Sequence, residues 1–199
     1  MTAGVPKLHG AGLDLGDFDS QDLKVTLAHK KFILKHDQVD AKTKTQALAD
    51  VEKILRDNDM SNVYEFFCTN LGWQVDQAAL DTMKAQNTEH ITKLDEKITE
   101  SEKNMGDEEV RDAMLEKADY LANIGDKEKA WEAYDAVEKK TPSANQKLTI
   151  LFCKLRLEIL YGDWAAVKDL VATGKELCGK GGDWEKKNRL MVCILFCLS

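Results

Sequence analysis

The sequence predicts an all-α fold, and three features of its 199 residues support that prediction. Amphipathic segments follow one another from about residue 21, and no convincing stretch alternates with the period of two that strands show. The chain contains only two prolines, Pro6 and Pro142, so nearly all of it is free to be helical. Gly-Asp pairs separate the segments of the second half, where a tight turn between helices is expected.

Composition excludes several classes of function. The chain has 28 Lys+Arg against 35 Asp+Glu and a net charge of −7, which argues against a general binder of nucleic acid or of anionic membranes. Five cysteines form no even disulfide framework, and no Asn-x-Ser/Thr sequon occurs, so we expect a reducing compartment, the cytoplasm and nucleus. The longest apolar run, 190–198, is too short to cross a bilayer.

The N-terminal region is predicted to be a loose tail followed by short helices. Residues 1–20 hold four of the twelve glycines and little helical periodicity, so we expect a flexible tail there. Apolar residues then recur at helical spacing, and Gly72 is a natural residue to end a helix. The pattern predicts helices over 22–35, 46–57 and 60–71.

A long amphipathic helix is predicted from Asp76, which can cap it, to about Asn104. Its apolar stripe is narrow and its other faces are densely charged, so we expect it to pack along one neighbour as a solvated spacer. The stripe consists of Met83, Ile91, Leu94 and Ile98. With it, the N-terminal helical region is predicted to cover 21–104.

The second half contains a repeat. A shift of 37 residues superposes Gly125-Asp126 on Gly162-Asp163, together with the apolar positions on both sides. A helix–Gly-Asp–helix unit of this length is typical of tetratricopeptide-like arrays, so we predict a right-handed helical solenoid over 105–199. The predicted helices are 107–124, 127–140, 143–161 and 164–177, with Ser143 and Gln146 as a capping box, and a further helix from Gly182 to the last residue. Because that last helix is still apolar, we expect the chain to stop inside the array.

No catalytic, cofactor-binding or metal-binding residue is predicted. The stretch 174–181 approaches a phosphate-binding loop, but a helix precedes it and Gly181 occupies the place of the required hydroxyl. Cys193 and Cys197 lie four apart without further ligands, so we interpret them as buried thiols. The carboxylates are expected at solvated helix positions, and the four tryptophans are expected to pack between helices. These tryptophans are Trp73, Trp131, Trp164 and Trp184.

Several phrases carry a resemblance to a known family. In chain order they are 57–60 (DNDM), 72–76 (GWQVD), 94–96 (LDE), 102–106 (EKNMG), 110–114 (VRDAM), 124–128 (IGDKE) and 181–190 (GGDWEKKNRL). Together they resemble the N-terminal half of the family of the seventh non-ATPase subunit of the 26S proteasome lid. The resemblance covers about residues 45–199, and the related subunit one of the COP9 signalosome is the alternative within this architecture.

The resemblance implies a non-catalytic scaffold that helps hold the lid together and onto the ATPase base during degradation of ubiquitinated proteins. Family members end in a PCI module, and we expect the chain to stop before it. A peptide-binding tetratricopeptide adaptor is a further alternative, supported by only Arg111, Lys117 and Lys154.

The last helix is the predicted interaction site. We expect its apolar residues to pack under a following repeat or to self-associate with a second copy, and its basic run to lie in solvent or to meet an acidic partner. The predicted interaction residues are Val192, Ile194, Leu195 and Phe196 with Lys186, Lys187 and Arg189.

Overall fold

The computed structural model describes residues 22–181, 184–188 and 190–191, and in these ranges every regular element is a helix. The predicted all-α fold is therefore confirmed. The helices are α1 (Leu23–Lys35), α2 (Ala41–Asp57), α3 (Ser61–Leu71), α4 (Gln77–Asn104), α5 (Asp107–Ile124), α6 (Lys127–Lys139), α7 (Ala144–Tyr161) and α8 (Trp164–Gly179). Residues 184–188 and 190–191 are also helical.

Capping explains where the helices begin, including two differences from the sequence-based prediction. Helix α2 starts five residues earlier than expected because the side chain of Asp40 accepts a hydrogen bond from the Thr43 amide. Asp76 caps α4 as predicted, through the amide of Ala79. The prediction of a capping box at the start of α7 was wrong. Ser143 is the N-cap residue, but its side chain makes no capping hydrogen bond.

Three apolar clusters form the core of the described part of the chain. The first joins α1 to α4 around Leu27 and Phe67, both fully buried. The second joins α5, α6 and α7 around Tyr134, and the third joins α7 and α8 to Leu190. The second and third clusters draw on consecutive helices, as in a helical array, whereas the first also includes Leu160 of α7.

Two packing contacts bring the N-terminal helices against the repeats. Helix α4 packs along α5, and α1 packs against both α2 and α7. The sequence-based prediction places a domain boundary between residues 104 and 105. Both the α4–α5 and the α1–α7 contacts cross this boundary. The division into two domains stays a prediction. Across the part of the chain that the structure describes, no helix is long and apolar enough to cross a membrane.

Candidate functional site

The two Gly-Asp turns have the same geometry, as the repeat predicts. Gly125 and Gly162 both adopt left-handed backbone, with φ of 85° and 79°. Asp126 and Asp163 follow them, and each side chain accepts a hydrogen bond from an amide in the first turn of the next helix. Glycine reverses the chain here without the steric cost of a side chain, and aspartate starts the returning helix.

The surroundings of the two turns differ. A Cβ atom on Gly125 would lie 2.5 Å from Cγ2 of Val63 and 2.7 Å from the hydroxyl oxygen of Tyr161. The Tyr161 hydroxyl donates a hydrogen bond of 2.6 Å to the Gly125 carbonyl. A Cβ atom on Gly162 would meet nothing closer than Nζ of Lys31, at 3.8 Å. The turn at Gly125 is therefore closely packed between α3 and α7, whereas the turn at Gly162 has space for a Cβ atom.

A fully buried carboxylate joins the two repeats. Glu158 of α7 accepts a hydrogen bond of 2.6 Å from the indole N–H of Trp131 and forms an ion pair of 2.7 Å with Lys127. Lys127 also lies 3.0 Å from the carboxylate of Asp163. Burial opposes the charge of Lys127, but hydrogen bonds to these two carboxylates raise its pKa. The expectation that the carboxylates lie at solvated positions was wrong for Glu158.

Asp119 of α5 also departs from that expectation. Its side chain accepts a hydrogen bond of 2.7 Å from the hydroxyl of Tyr134. Burial raises the pKa of Asp119, because the charged form loses its hydration. Burial also raises the pKa of Cys153 in the same cluster to about 12, so this thiol is not a nucleophile at neutral pH.

Polar contacts fasten α1 to the repeats. Arg156 of α7 lies 3.3 Å from the carboxylate of Asp22, which also caps α1. Lys31 donates a hydrogen bond to the Leu160 carbonyl and lies 4.8 Å from the ring centroid of Phe66. Burial, together with the nearby Lys35, lowers the pKa of Lys31 to about 8. These contacts place the first helix at the end of α7.

The cations that favoured a peptide-binding adaptor are engaged within the chain. Arg111 pairs with Asp112 at 2.9 Å. Lys117 pairs with Asp95 of α4 at 2.5 Å, and Lys154, at the equivalent repeat position, pairs with Asp135 of α6 at 2.5 Å. Each of these three charges is therefore balanced by a neighbouring carboxylate, and the adaptor interpretation loses its support.

The predicted interaction residues at the C-terminal end are described only in part. The Lys186 ammonium donates a hydrogen bond of 3.0 Å to the Asn145 carbonyl at the start of α7, and Lys187 is exposed. Leu190, which the prediction did not include, is buried against Gly174 of α8. The other predicted residues lie outside the described part of the chain, so their role stays a prediction. They are Arg189, Val192, Ile194, Leu195 and Phe196.

The tryptophans divide into two groups. Trp73 packs with its ring centroid 6.1 Å from that of Phe67, and Trp131 packs between the repeats, as predicted. Trp164 and Trp184 are 47% and 79% exposed, so the prediction that they pack between helices was wrong. In the described ranges no group of three or more potential metal ligands occurs.

Comparisons with known proteins agree with the resemblance seen in the sequence. The family model described as 26S proteasome subunit RPN7 matches residues 76–197. The chain is 40% identical to a 26S proteasome non-ATPase regulatory subunit 6 homolog from Arabidopsis thaliana over 188 residues, which cover 94% of this chain and 49% of that protein. It is 32% identical to the 26S proteasome non-ATPase regulatory subunit 6 of Caenorhabditis elegans over 194 residues, 96% of this chain and 47% of the relative. The chain thus spans about half the length of these relatives.

Proposed function

This chain belongs to the RPN7 family of 26S proteasome subunits, and from that membership we propose that it is a non-catalytic scaffold of the regulatory particle lid. The observation that carries the proposal is the 40% identity to a non-ATPase regulatory subunit over 94% of this chain. In this role the chain supports assembly of the lid and the ATP-dependent degradation of ubiquitinated proteins. We propose no enzymatic activity for it.

The arrangement of the helices supports a scaffold. A half-buried ion pair of Arg156 connects the first helix to α7, and the buried carboxylate of Glu158 connects the two repeats. A helical array held in this way presents its outer faces at fixed distances and angles, which is what several simultaneous protein partners require.

The proposed partners are the other lid subunits and the ATPase base, and the proposed location is the cytoplasm and nucleus. Support for these partners comes from the relatives, which are named as regulatory subunits of the 26S proteasome. The proposed domain organisation is an N-terminal helical region over 21–104, preceded by a tail over 1–20, and a repeat array over 105–199.

Affinity purification tests the scaffold role. The tagged chain and a tagged full-length relative are expressed in cells of the source organism, and co-purifying proteins are quantified by mass spectrometry. A matched variant, Leu27→Asp, places a charge in the first core cluster and should lose the array, and circular dichroism checks its folding.

We expect the chain to recover lid and base subunits above the level of Leu27→Asp. Recovery of signalosome subunits in their place would contradict the choice of complex. If the full-length relative recovers proteasome subunits and this chain, although folded, does not, the scaffold role of these helices is contradicted.

The C-terminal segment is proposed to self-associate with a second copy of the chain. Trp184 and Met191 are 79% and 56% exposed, and their spacing of seven residues is that of one helical face. Exposed aromatic and thioether side chains of this kind are enriched in protein interfaces. Residues Val192, Ile194, Leu195 and Phe196 are proposed to extend the same contact.

A further inference from the structure

A groove of about 370 Å³ runs between α6 and α8, with α7 as its floor. Trp131 and Glu138 line it from α6, Lys154 from α7, and Asp169 and Thr173 from α8. We call it the α6–α8 groove. The residues of α8 that line it span two helical turns, so the groove is about 10 Å long.

Among the described residues that line the α6–α8 groove there is one cation, and carboxylates already neutralise it. The side chain of Lys154 is only 5% exposed, and its ammonium lies 2.5 Å from a carboxylate oxygen of Asp135 and 3.3 Å from one of Glu138. It also lies 4.8 Å from the ring centroid of Trp131. Lys154 therefore connects α7 to α6 through these ion pairs, and its positive charge is not available to a ligand.

The accessible charge of the α6–α8 groove is negative. Asp169 is exposed on the α8 wall, and among the described residues no ion pair reaches its carboxylate. Glu138 on the opposite wall keeps 35% of its side chain exposed. A cation entering the groove therefore finds acceptors on both sides.

Apolar surface lies between these two carboxylates. The half-buried ring of Trp131 and the side chain of Leu151 form the deeper part, and Ala166 on the α8 wall is small enough to leave it open. The preceding repeat differs at the equivalent positions: 37 residues before Trp131 and Glu138 lie Leu94 and Ser101, which are both buried.

We propose that the α6–α8 groove binds a short segment of a partner protein in which arginine or lysine flanks an apolar anchor. The anchor packs on Trp131, and the flanking cations pair with Asp169 and Glu138. This is the way an amphipathic helix occupies an apolar groove with a charged rim. The proposal goes beyond the scaffold role, because it names one contact surface and the chemistry of the segment that fills it.

Two synthetic peptides test the proposal on the intact chain. The first is an amphipathic helix of leucine and arginine with a fluorescent label, and the second has glutamate in place of every arginine. Fluorescence anisotropy gives the dissociation constants, and the indole N–H signal of Trp131 in NMR spectra reports whether the groove is occupied. We expect the arginine peptide to bind and to shift this signal, and the glutamate peptide to do neither.

Two charge-reversed variants distinguish binding in the groove from nonspecific electrostatic attraction of the arginine peptide to an acidic protein. Asp169→Lys should weaken binding of the arginine peptide about tenfold, because it replaces an acceptor by a like charge. Glu100→Lys makes the same change of charge at an exposed position of α4 and should leave the dissociation constant unchanged.

Three outcomes would overturn the proposal. They are the absence of binding by the arginine peptide, equal weakening by Asp169→Lys and Glu100→Lys, and binding that leaves the Trp131 signal unmoved. A further variant, Thr173→Trp, fills the groove from an exposed position and should also abolish the shift of this signal. None of these measurements depends on recovery of proteasome subunits.

Discussion

Asp119 is a half-buried acid, and the neighbouring polar groups only partly compensate its carboxylate for the loss of water. Burial raises its pKa, while the Tyr134 hydroxyl, Lys24 and Arg156 favour the ionised form. A carboxyl group with a raised pKa in the folded state binds its proton more tightly there than in the unfolded chain. The free energy of unfolding therefore falls as the pH rises through that raised pKa.

The variant Asp119→Asn should remove this dependence on pH. Asparagine keeps an oxygen acceptor for the Tyr134 hydroxyl but carries no charge, so we expect it to add more stability at pH 7.5, where Asp119 would be ionised, than at pH 4, where Asp119 is largely protonated. Urea denaturation followed by circular dichroism measures the free energy of unfolding at each pH. The exposed Asp81→Asn is the control and should change little. Lower stability of Asp119→Asn at both pH values would mean that Lys24 and Arg156 outweigh the burial of the carboxylate.

The sequence contained one signal for Glu158 that pattern reasoning passed over. Glu158 lies seven residues after Leu151 and three after Leu155, so it shares the face that helical periodicity predicts to be buried. A carboxylate on such a face needs a partner, but its partners, Trp131 and Lys127, lie on another helix. Periodicity identifies a buried face without naming the groups across from it, which is why the interaction itself was not predictable.

At the scale of the elements, the two Gly-Asp turns offer a matched pair of positions. Both glycines have the same backbone conformation and the same aspartate after them, but Gly125 is pressed against Val63 and Gly162 is not. A methyl group added at each position therefore separates the cost of the left-handed backbone from the cost of crowding.

Gly162→Ala should lower the free energy of unfolding by about 1 kcal/mol, the cost of left-handed backbone for alanine. Gly125→Ala should lower it by roughly 1–3 kcal/mol more, because the new methyl group overlaps Val63 and Tyr161. Urea denaturation at neutral pH compares the two variants with the wild type. Equal losses would show that α3 and α7 move apart at the turn without cost.

The helices themselves were largely predictable, and their neighbours were not. Apolar spacing and turn residues gave the range of α4 closely and both Gly-Asp turns, because these signals are local. The packing of α1 on α7 has no such signal: amphipathic helices of similar length present similar apolar faces, and only their shapes and polar contacts select a partner. Arg156 and Asp22, which make one of those contacts, look like ordinary surface residues in the sequence.

At the scale of the whole molecule, the exposed C-terminal residues should decide the association state. Sedimentation at increasing concentration should show self-association of the chain, because two exposed apolar side chains favour burial against a second copy. Trp184→Gln should weaken it, whereas Trp164→Gln, at the other exposed tryptophan, should leave it unchanged. A chain that sediments as a monomer at every concentration would contradict the proposed self-association.

The attachment of α1 to α7 also has a consequence for how the protein is made. Lys31 and the Leu160 carbonyl, which hold the two helices together, are separated by 129 residues. At a synthesis rate of about 5–20 residues per second, the first helix waits on the order of 10 seconds after it leaves the ribosome before α7 exists. During that interval α1 can pack only on helices made before α7, such as α2 and α3, and the contact with Leu160 is missing from the first core cluster. Closure of the N-terminal helix onto the array therefore waits for the synthesis of α7, and until then the nascent chain exposes an apolar face that a chaperone can bind.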